Sequence, residues 1–226
     1  MNEQVQNTNR GDESRRIPLR QSRPYAVVYM FIITFLFVLI LVAVSTMTRE
    51  RVEANRRIMR ERALLTAALP DEVDGGTSSV RVSEIYRNRV REPEDPQADP
   101  LYQVMAEEDD EKIIAYVLHL DGQGFWDRIA GFLALEPDKE TIIGVDFYDQ
   151  NETPGLGAQI LTEDFRTQFK GKELADRRPH LELRSAAEET DRHSVHAVTG
   201  ATQTSDRLED IITANVADWR GEEVEK

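Results

Sequence analysis

The chain has 226 residues, of which 31% are charged and 40% hydrophobic, so a multi-spanning membrane protein is excluded and one globular domain is favoured. It contains no cysteine, which excludes disulfides, thiolate nucleophiles, iron–sulfur clusters and cysteine-based zinc sites. The net charge is -14; residues 1–23 and Arg49–Arg62 carry +2 and +3, which leaves -19 for residues 63–226. Such an acidic domain repels phosphate backbones, so we expect no nucleic-acid partner.

The first predicted element is an apolar helix over Tyr25–Met47, 23 residues without a charge. About 20 apolar residues suffice to cross a bilayer, whereas the apolar region of a cleaved signal peptide has only about 7 to 15. We therefore predict a permanent single transmembrane helix. The arginines within residues 10–23 predict that the tail, 1–24, is cytoplasmic, although the second cluster, Arg49–Arg62, opposes that orientation.

Residues 48–69 lack glycine and proline, and this composition predicts a juxtamembrane helix that ends before Pro70. The remainder, 70–226, is predicted to form the extramembrane domain. Its first segments, 71–79 and 90–100, are acidic and rich in turn-forming residues, so we expect exposed loops there.

Short apolar segments follow from residue 111 onward. Residues 113–120 and 141–148 are rich in β-branched and aromatic side chains and predict buried strands. Residues 126–135 predict a short helix or a broad turn, and residues 162–169 and 205–220 predict helices. The fold class is α+β, without the regular strand–helix alternation of a doubly wound sheet.

Two loops are candidates for ligand binding. Glu152–Gly157 (ETPGLG) follows a predicted strand, and its proline and two glycines predict a tight loop whose backbone can approach a ligand, or else a structural turn. Thr199–Ser205 (TGATQTS) precedes the last helix, where free N–H groups and the helix dipole favour a phosphate. The alternative is that Thr204 or Ser205 simply caps that helix.

Together these loops resemble a known family. Gly131–Ile160 (GFLALEPDKETIIGVDFYDQNETPGLGAQI) and Val198–Ser205 (VTGATQTS) are similar to NqrC, the C subunit of sodium-translocating NADH:quinone reductases, and to the related G subunit of Rnf complexes. The resemblance covers roughly Lys112–Ala217 and the N-terminal helix. It implies an FMN-binding domain with a mainly antiparallel sheet and flanking helices. It also implies that a flavin transferase esterifies Thr202 to the phosphate of FMN, which makes the cofactor covalent.

The resemblance also assigns residues to the flavin site. The ETPGLG loop is expected to lie against the flavin, and the residues before Thr202 to shape the attachment loop. The expected cofactor-binding residues are Thr202, Thr199, Gly200, Ala201, Glu152, Thr153, Pro154, Gly155, Leu156 and Gly157. No residue is expected to be catalytic or to bind a metal.

Histidines and aromatic residues near these loops need separate interpretation. His196 stands where the transferase signature usually has Asp, a departure that bears on recognition by the transferase. His193 and His196 form an HxxH pair, which we interpret as solvated loop histidines rather than metal ligands. Phe125, Trp126 and Phe132 are expected to pack in the core rather than stack on the flavin. Glu136 and Asp138 are expected in an exposed turn, without an acid–base role.

The function implied by the resemblance is electron transfer within an ion-translocating NADH:quinone oxidoreductase of the bacterial inner membrane, with a periplasmic domain. Other membrane subunits would then be partners, since the chain lacks a G-x-G-x-x-G fingerprint for NADH. The strings LALEPD and GAQI favour the quinone reductase over an Rnf-type complex. Two further alternatives are a flavin-free interaction or sensory module and a free-standing electron-transfer protein of the membrane.

Overall fold

The computed structural model describes residues 23–95 and 99–222, so the predicted tail lies outside these residues apart from its last two positions. The chain divides into two compact units between Glu53 and Ala54. A single helix, α1 (Arg23–Ala68), contains both helical segments predicted from the sequence. Its apolar part has a mean hydropathy of 3.1 and no buried residue, so by length and composition it can cross a membrane. It ends just before Pro70, because proline lacks the N–H that a helix needs.

The second unit is built on one antiparallel sheet whose five strands are neighbours in chain order. The strands are β1 (Val90–Arg91), β2 (Tyr102–Met105), β3 (Ile113–Gln123), β4 (Arg128–Leu135) and β5 (Ile142–Asp149). The other elements are α2 (Ser79–Arg89), α3 (Glu163–Arg166), α4 (Thr202–Arg220), two 3-10 turns (Gly157–Leu161 and Thr167–Phe169) and a parallel pair, β6 (Glu182–Arg184) and β7 (Ser194–His196). The predicted α+β fold with a mainly antiparallel sheet is confirmed.

Each face of the sheet is covered by its own hydrophobic core. Because side chains alternate along a strand, successive residues of β4 point to opposite faces. Ile129 and Leu133 pack in a core that includes Leu208 of α4, while Phe132 packs in a second core with Leu64 from the end of α1. The sheet is therefore the middle layer of the domain.

This double burial explains why strand β4 was not predicted. The sequence predicts a short helix or a turn over residues 126–135, but β4 occupies most of them, and seven of its eight residues are buried. A strand covered on both faces has a continuous apolar run instead of an alternating pattern, so its sequence does not distinguish strand from helix. The expected loop 90–100 begins with β1, and α2 and β2 were not predicted.

The end of α1 packs closely on β5 because residue 144 is a glycine. A Cβ atom at Gly144 would lie 2.8 Å from the carbonyl oxygen of Ala67. Side chains at this position would push the helix away from the sheet. The core on the α1 side thus depends on close contact between the backbones of α1 and β5.

We predict that Gly144→Ala lowers the free energy of unfolding by about 1–3 kcal/mol, the usual cost of overpacking. Gly75→Ala is the matched control, because a Cβ there meets no atom within 4 Å, and it should change stability by less than about 0.5 kcal/mol. Urea denaturation of the full chain in neutral detergent, followed by tryptophan fluorescence, measures both. Equal stability of the two variants would contradict the close approach.

Candidate functional site

The two candidate loops meet at the buried side chain of Glu152, which is 4% exposed. One carboxylate oxygen accepts a hydrogen bond from the main-chain N–H of Trp126 (3.0 Å). The other accepts a hydrogen bond from the hydroxyl of Thr204 (2.8 Å). Glu152 therefore joins the β3–β4 turn, its own loop and the first turn of α4.

Glycines leave the space that this carboxylate occupies. A Cβ at Gly157 would lie 2.5 Å from the Thr204 hydroxyl and 2.9 Å from Glu152, and a Cβ at Gly124 would lie 2.6 Å from the same carboxylate. Gly155 and Gly200 have φ of +76° and +79°, in the left-handed region that favours glycine. Gly124 was not predicted as a residue of the site. Its position directly before two aromatic residues was the only signal in the sequence.

Helix α4 begins at Thr202, three residues earlier than predicted, and its N-terminus has no side-chain cap. The expected caps are used elsewhere: Thr204 donates to Glu152, and Ser205 accepts from the N–H of Val198 and donates to the carbonyl of Ala201. The capping alternative is therefore wrong. The first-turn N–H groups carry the positive end of the helix dipole beside the exposed Thr202.

A cavity of 330 Å³ lies between these elements, within the size range of small-molecule sites. Its lining combines both predicted loops with the β3–β4 turn, and consists of Phe125, Trp126, Thr153, Leu156, Gly157, Gly200, Ala201, Thr202, Gln203 and Thr204. Six of the ten predicted site residues thus line one cavity. The other four, Glu152, Pro154, Gly155 and Thr199, do not line it, and Glu152 supports its walls from within the protein.

The aromatic residues divide between core and cavity. Phe132 is fully buried, as expected. Phe125 and Trp126 are 44% and 65% exposed and contact each other edge to face, with ring centroids 5.0 Å apart, so the expectation that they pack in the core is wrong. They form an exposed aromatic wall of the cavity. Glu136 and Asp138 lie in the expected exposed turn.

The two histidines were expected to be solvated loop residues, and only His193 lies in a loop, where it is half-buried. His193 lies with its Nδ1 2.8 Å from the carbonyl oxygen of Glu173. His196 lies on β7, is half-buried, and donates its main-chain N–H to the side chain of Gln168 (2.9 Å). The described residues contain no group of three or more His, Cys, Asp or Glu placed to hold a metal ion.

Comparison with known proteins bears directly on this cavity. Residues 124–216 match the family model described as FMN-binding domain, a range that contains every predicted site residue. This part of the chain is therefore similar to FMN-binding domains.

Curated relatives carry a more specific name, that of the C subunit of Na(+)-translocating NADH-quinone reductase. The relative from Pasteurella multocida is 38% identical over 96 residues, 42% of this chain and 37% of the relative. The relative of the same name from Neisseria meningitidis is 37% identical over 116 residues, 50% of this chain and 43% of the relative. The matched region of this chain thus spans about two fifths of the length of these relatives.

Solved structures share the fold. NqrC from Shewanella oneidensis superposes with a TM-score of 0.58 at 24% identity, covering 71% of this chain and 91% of that one. The C subunit of Na(+)-translocating NADH-quinone reductase from Parabacteroides distasonis superposes with a TM-score of 0.61 at 21% identity, covering 74% and 93%. The expected resemblance to NqrC is confirmed.

The cavity fits the chemistry of FMN. The uncapped first turn of α4 offers N–H groups and a positive dipole to a phosphate, and the nearby Gly200 and Ala201 keep that approach open. Phe125, Trp126 and Leu156 provide exposed apolar surface for a flat aromatic ring. A dianion and a planar ring are the two ends of FMN.

We predict that Glu152→Ala destabilises the domain by about 2–4 kcal/mol, because the N–H of Trp126 and the hydroxyl of Thr204 both lose their acceptor. Glu152→Gln keeps one acceptor oxygen and adds an amide that can donate to Thr204, so it should cost about half as much. Thermal unfolding followed by tryptophan fluorescence compares the two variants. If Glu152→Ala were as stable as the parent chain, the bridging role would be disproved.

Proposed function

We propose that this chain is a membrane-anchored electron-transfer subunit of a sodium-translocating NADH:quinone reductase, with FMN attached covalently through its phosphate to Thr202. The observation that carries the proposal is the exposed hydroxyl-bearing residue at the first position of an uncapped helix, at the edge of the cavity. The names of the curated relatives and the FMN-binding domain support the assignment to this complex.

Three threonines line the cavity, and their surroundings distinguish them. Thr204 is buried and its hydroxyl donates to Glu152, so it is not free to form an ester. Thr153 is exposed but lies in the ETPGLG loop, away from the first turn of a helix. Thr202 is exposed and lies where N–H groups stabilise a phosphate that remains charged after esterification.

A bound FMN supplies one- and two-electron transfer, and the protein holds it in place. The first turn of α4 compensates the phosphate charge, Phe125 and Trp126 cover one side of the cavity, and Glu152 fixes these elements relative to one another. The sequence has no dinucleotide fingerprint, so oxidation of NADH falls to a partner protein in the complex. This chain is therefore catalytically incomplete alone. The proposed ester at Thr202 in turn requires a flavin transferase as a partner during maturation.

Thr202→Ala is expected to abolish the flavin fluorescence of the denatured protein band when the chain is expressed with its flavin transferase. Gln203→Ala is the matched control, because Gln203 is exposed on the same helical turn and also lines the cavity but offers no hydroxyl. It should retain the fluorescence. Undiminished fluorescence of Thr202→Ala would exclude this residue as the attachment site. An intact mass of the parent chain without an FMN adduct would favour the flavin-free module instead.

We further propose that α1 crosses the bacterial inner membrane once and that the FMN-binding domain is periplasmic. The support is the charge-free segment of the helix and the arginines that precede it. An Rnf-type complex would share this topology, so topology alone does not separate the two assignments.

The absence of cysteine makes this topology directly measurable. Gly75→Cys places a thiol at an exposed position in the domain, and Thr8→Cys places one in the N-terminal tail. In cells with a permeabilised outer membrane, a membrane-impermeant maleimide should label Gly75→Cys before lysis and Thr8→Cys only after lysis. The reverse pattern would place the domain in the cytoplasm.

A further inference from the structure

A second cavity, of 460 Å³, lies between the C-terminal half of α1 and the strands β3, β4 and β5. It is larger than the 330 Å³ cavity beside Thr202, to which we assign the flavin and which is called the flavin cavity below, and it shares no lining residue with it. Its lining consists of Arg56, Arg57, Met59, Arg60, His119, Arg128, Tyr148 and Asp149. The proposed electron-transfer function makes no use of this cavity.

The two cavities belong to opposite faces of the sheet. Ala201 at the flavin cavity packs in the core that contains α4. His119 pairs across the strands with Phe132, and both Phe132 and Tyr148 belong to the core on the α1 side. A ligand in the second cavity is therefore separated from the flavin by the thickness of the sheet.

Positive charge dominates the second cavity, although the domain as a whole is strongly acidic. Four arginines line it against one carboxylate, that of Asp149. Within the described residues, Arg57 pairs with Glu61 (3.3 Å) and Arg128 forms a two-pronged ion pair with Asp121 (2.5 and 2.9 Å).

Two of the arginines lack a carboxylate partner in the described part of the chain. Arg60 donates to the hydroxyl of Tyr102 (2.7 Å) and lies over the ring of Phe132. Arg56 makes no hydrogen bond or ion pair with any residue that the structure describes. Guanidinium groups that face one cavity and have no carboxylate partner repel one another, and a bound anion relieves that repulsion.

The floor of the cavity is built from neutral polar groups. Nε2 of His119 lies 2.7 Å from the hydroxyl of Tyr148. Burial, followed by the positive charge of Arg60, lowers the pKa of His119 to about 4; Asp121 opposes this shift, and Arg128 adds a smaller lowering effect. The imidazole is therefore uncharged at neutral pH. The positive charge at this site comes from the arginines.

We propose that this cavity binds a phosphate group, as a mono- or diester, held by Arg56 and Arg60 with Arg57 and Arg128 beside them. A planar guanidinium matches two phosphate oxygens at a time, and a phosphate offers more acceptor oxygens than a carboxylate to several arginines. The protein already supplies carboxylates near this cavity, those of Glu61, Asp121 and Asp149. None of them pairs with Arg56 among the described residues. A free phosphate ester and a phospholipid headgroup share this chemistry.

The test uses the full chain in a neutral detergent. Isothermal titration calorimetry measures binding of inorganic phosphate, of short-chain phosphatidylglycerol and of succinate. Arg56→Gln and Arg60→Gln should each weaken binding of the phosphate probes about tenfold or more, the effect of losing one charge-assisted hydrogen bond. Arg87→Gln removes an exposed arginine of α2 that lies outside the cavity, and it should change nothing.

NMR of the His119 ring gives an independent readout. A bound anion stabilises the imidazolium, so saturating phosphate should raise the pKa of His119 from about 4 toward its ordinary 6.5. Preferential binding of inorganic phosphate indicates a free phosphate ester, and preferential binding of phosphatidylglycerol indicates a headgroup site; both support the proposal.

Three results overturn it: tighter binding of succinate than of either phosphate probe, equal losses in Arg56→Gln and Arg87→Gln, or no binding below about 10 mM of any phosphate probe. Flavin fluorescence of the Arg56→Gln band reports on Thr202 separately. A failure of this proposal is thereby distinguished from a failure of covalent flavin attachment.

Discussion

The buried carboxylate of Glu152 is the contact on which the flavin cavity depends. It accepts one hydrogen bond from the turn that carries Phe125 and Trp126 and another from the first turn of α4. These three segments lie far apart in the chain, and each supplies a different wall of the cavity. A buried carboxylate is stable only while its acceptor positions are filled, so the three walls form together or not at all. This coupling is what gives a cavity made of loops a defined shape.

The N-terminus of α4 is open because its N-cap residue is Ala201, whose side chain has no hydrogen-bond acceptor. Thr204 and Ser205 lie within the first turn, where one donates to Glu152 and the other bonds Val198 and Ala201. A missing cap costs about 1 kcal/mol of helix stability. The free N–H groups in turn attract an anion at the end of the helix. Stability is thus lower at the end of α4 to which we assign the phosphate, and a phosphate bound there would restore it.

The sequence predicts those parts of the fold that have a strong local pattern. The apolar helix, two of the strands and α4 have such patterns, whereas β4 is buried on both faces and loses the alternation that identifies a strand. The two loops that line the cavity were predicted as a possible site because their motifs are local. The aromatic wall was not, because the exposure of Phe125 and Trp126 depends on how Glu152 holds their turn. The sequence alone does not show which aromatic residues are buried in the core and which are exposed.

The charge of the domain explains why both proposed anion sites use short-range groups. A net charge of -19 over residues 63–226 repels anions at a distance, and salt screens that repulsion beyond about 8 Å. Within a cavity the local donors decide the sign of the field. On one face of the sheet these donors are main-chain N–H groups at the end of α4, and on the other they are guanidinium groups of α1 and β4. An N–H group carries no net charge, so the proposed covalent bond to Thr202 would retain a flavin that dipoles alone would hold weakly, whereas four arginines would allow reversible binding.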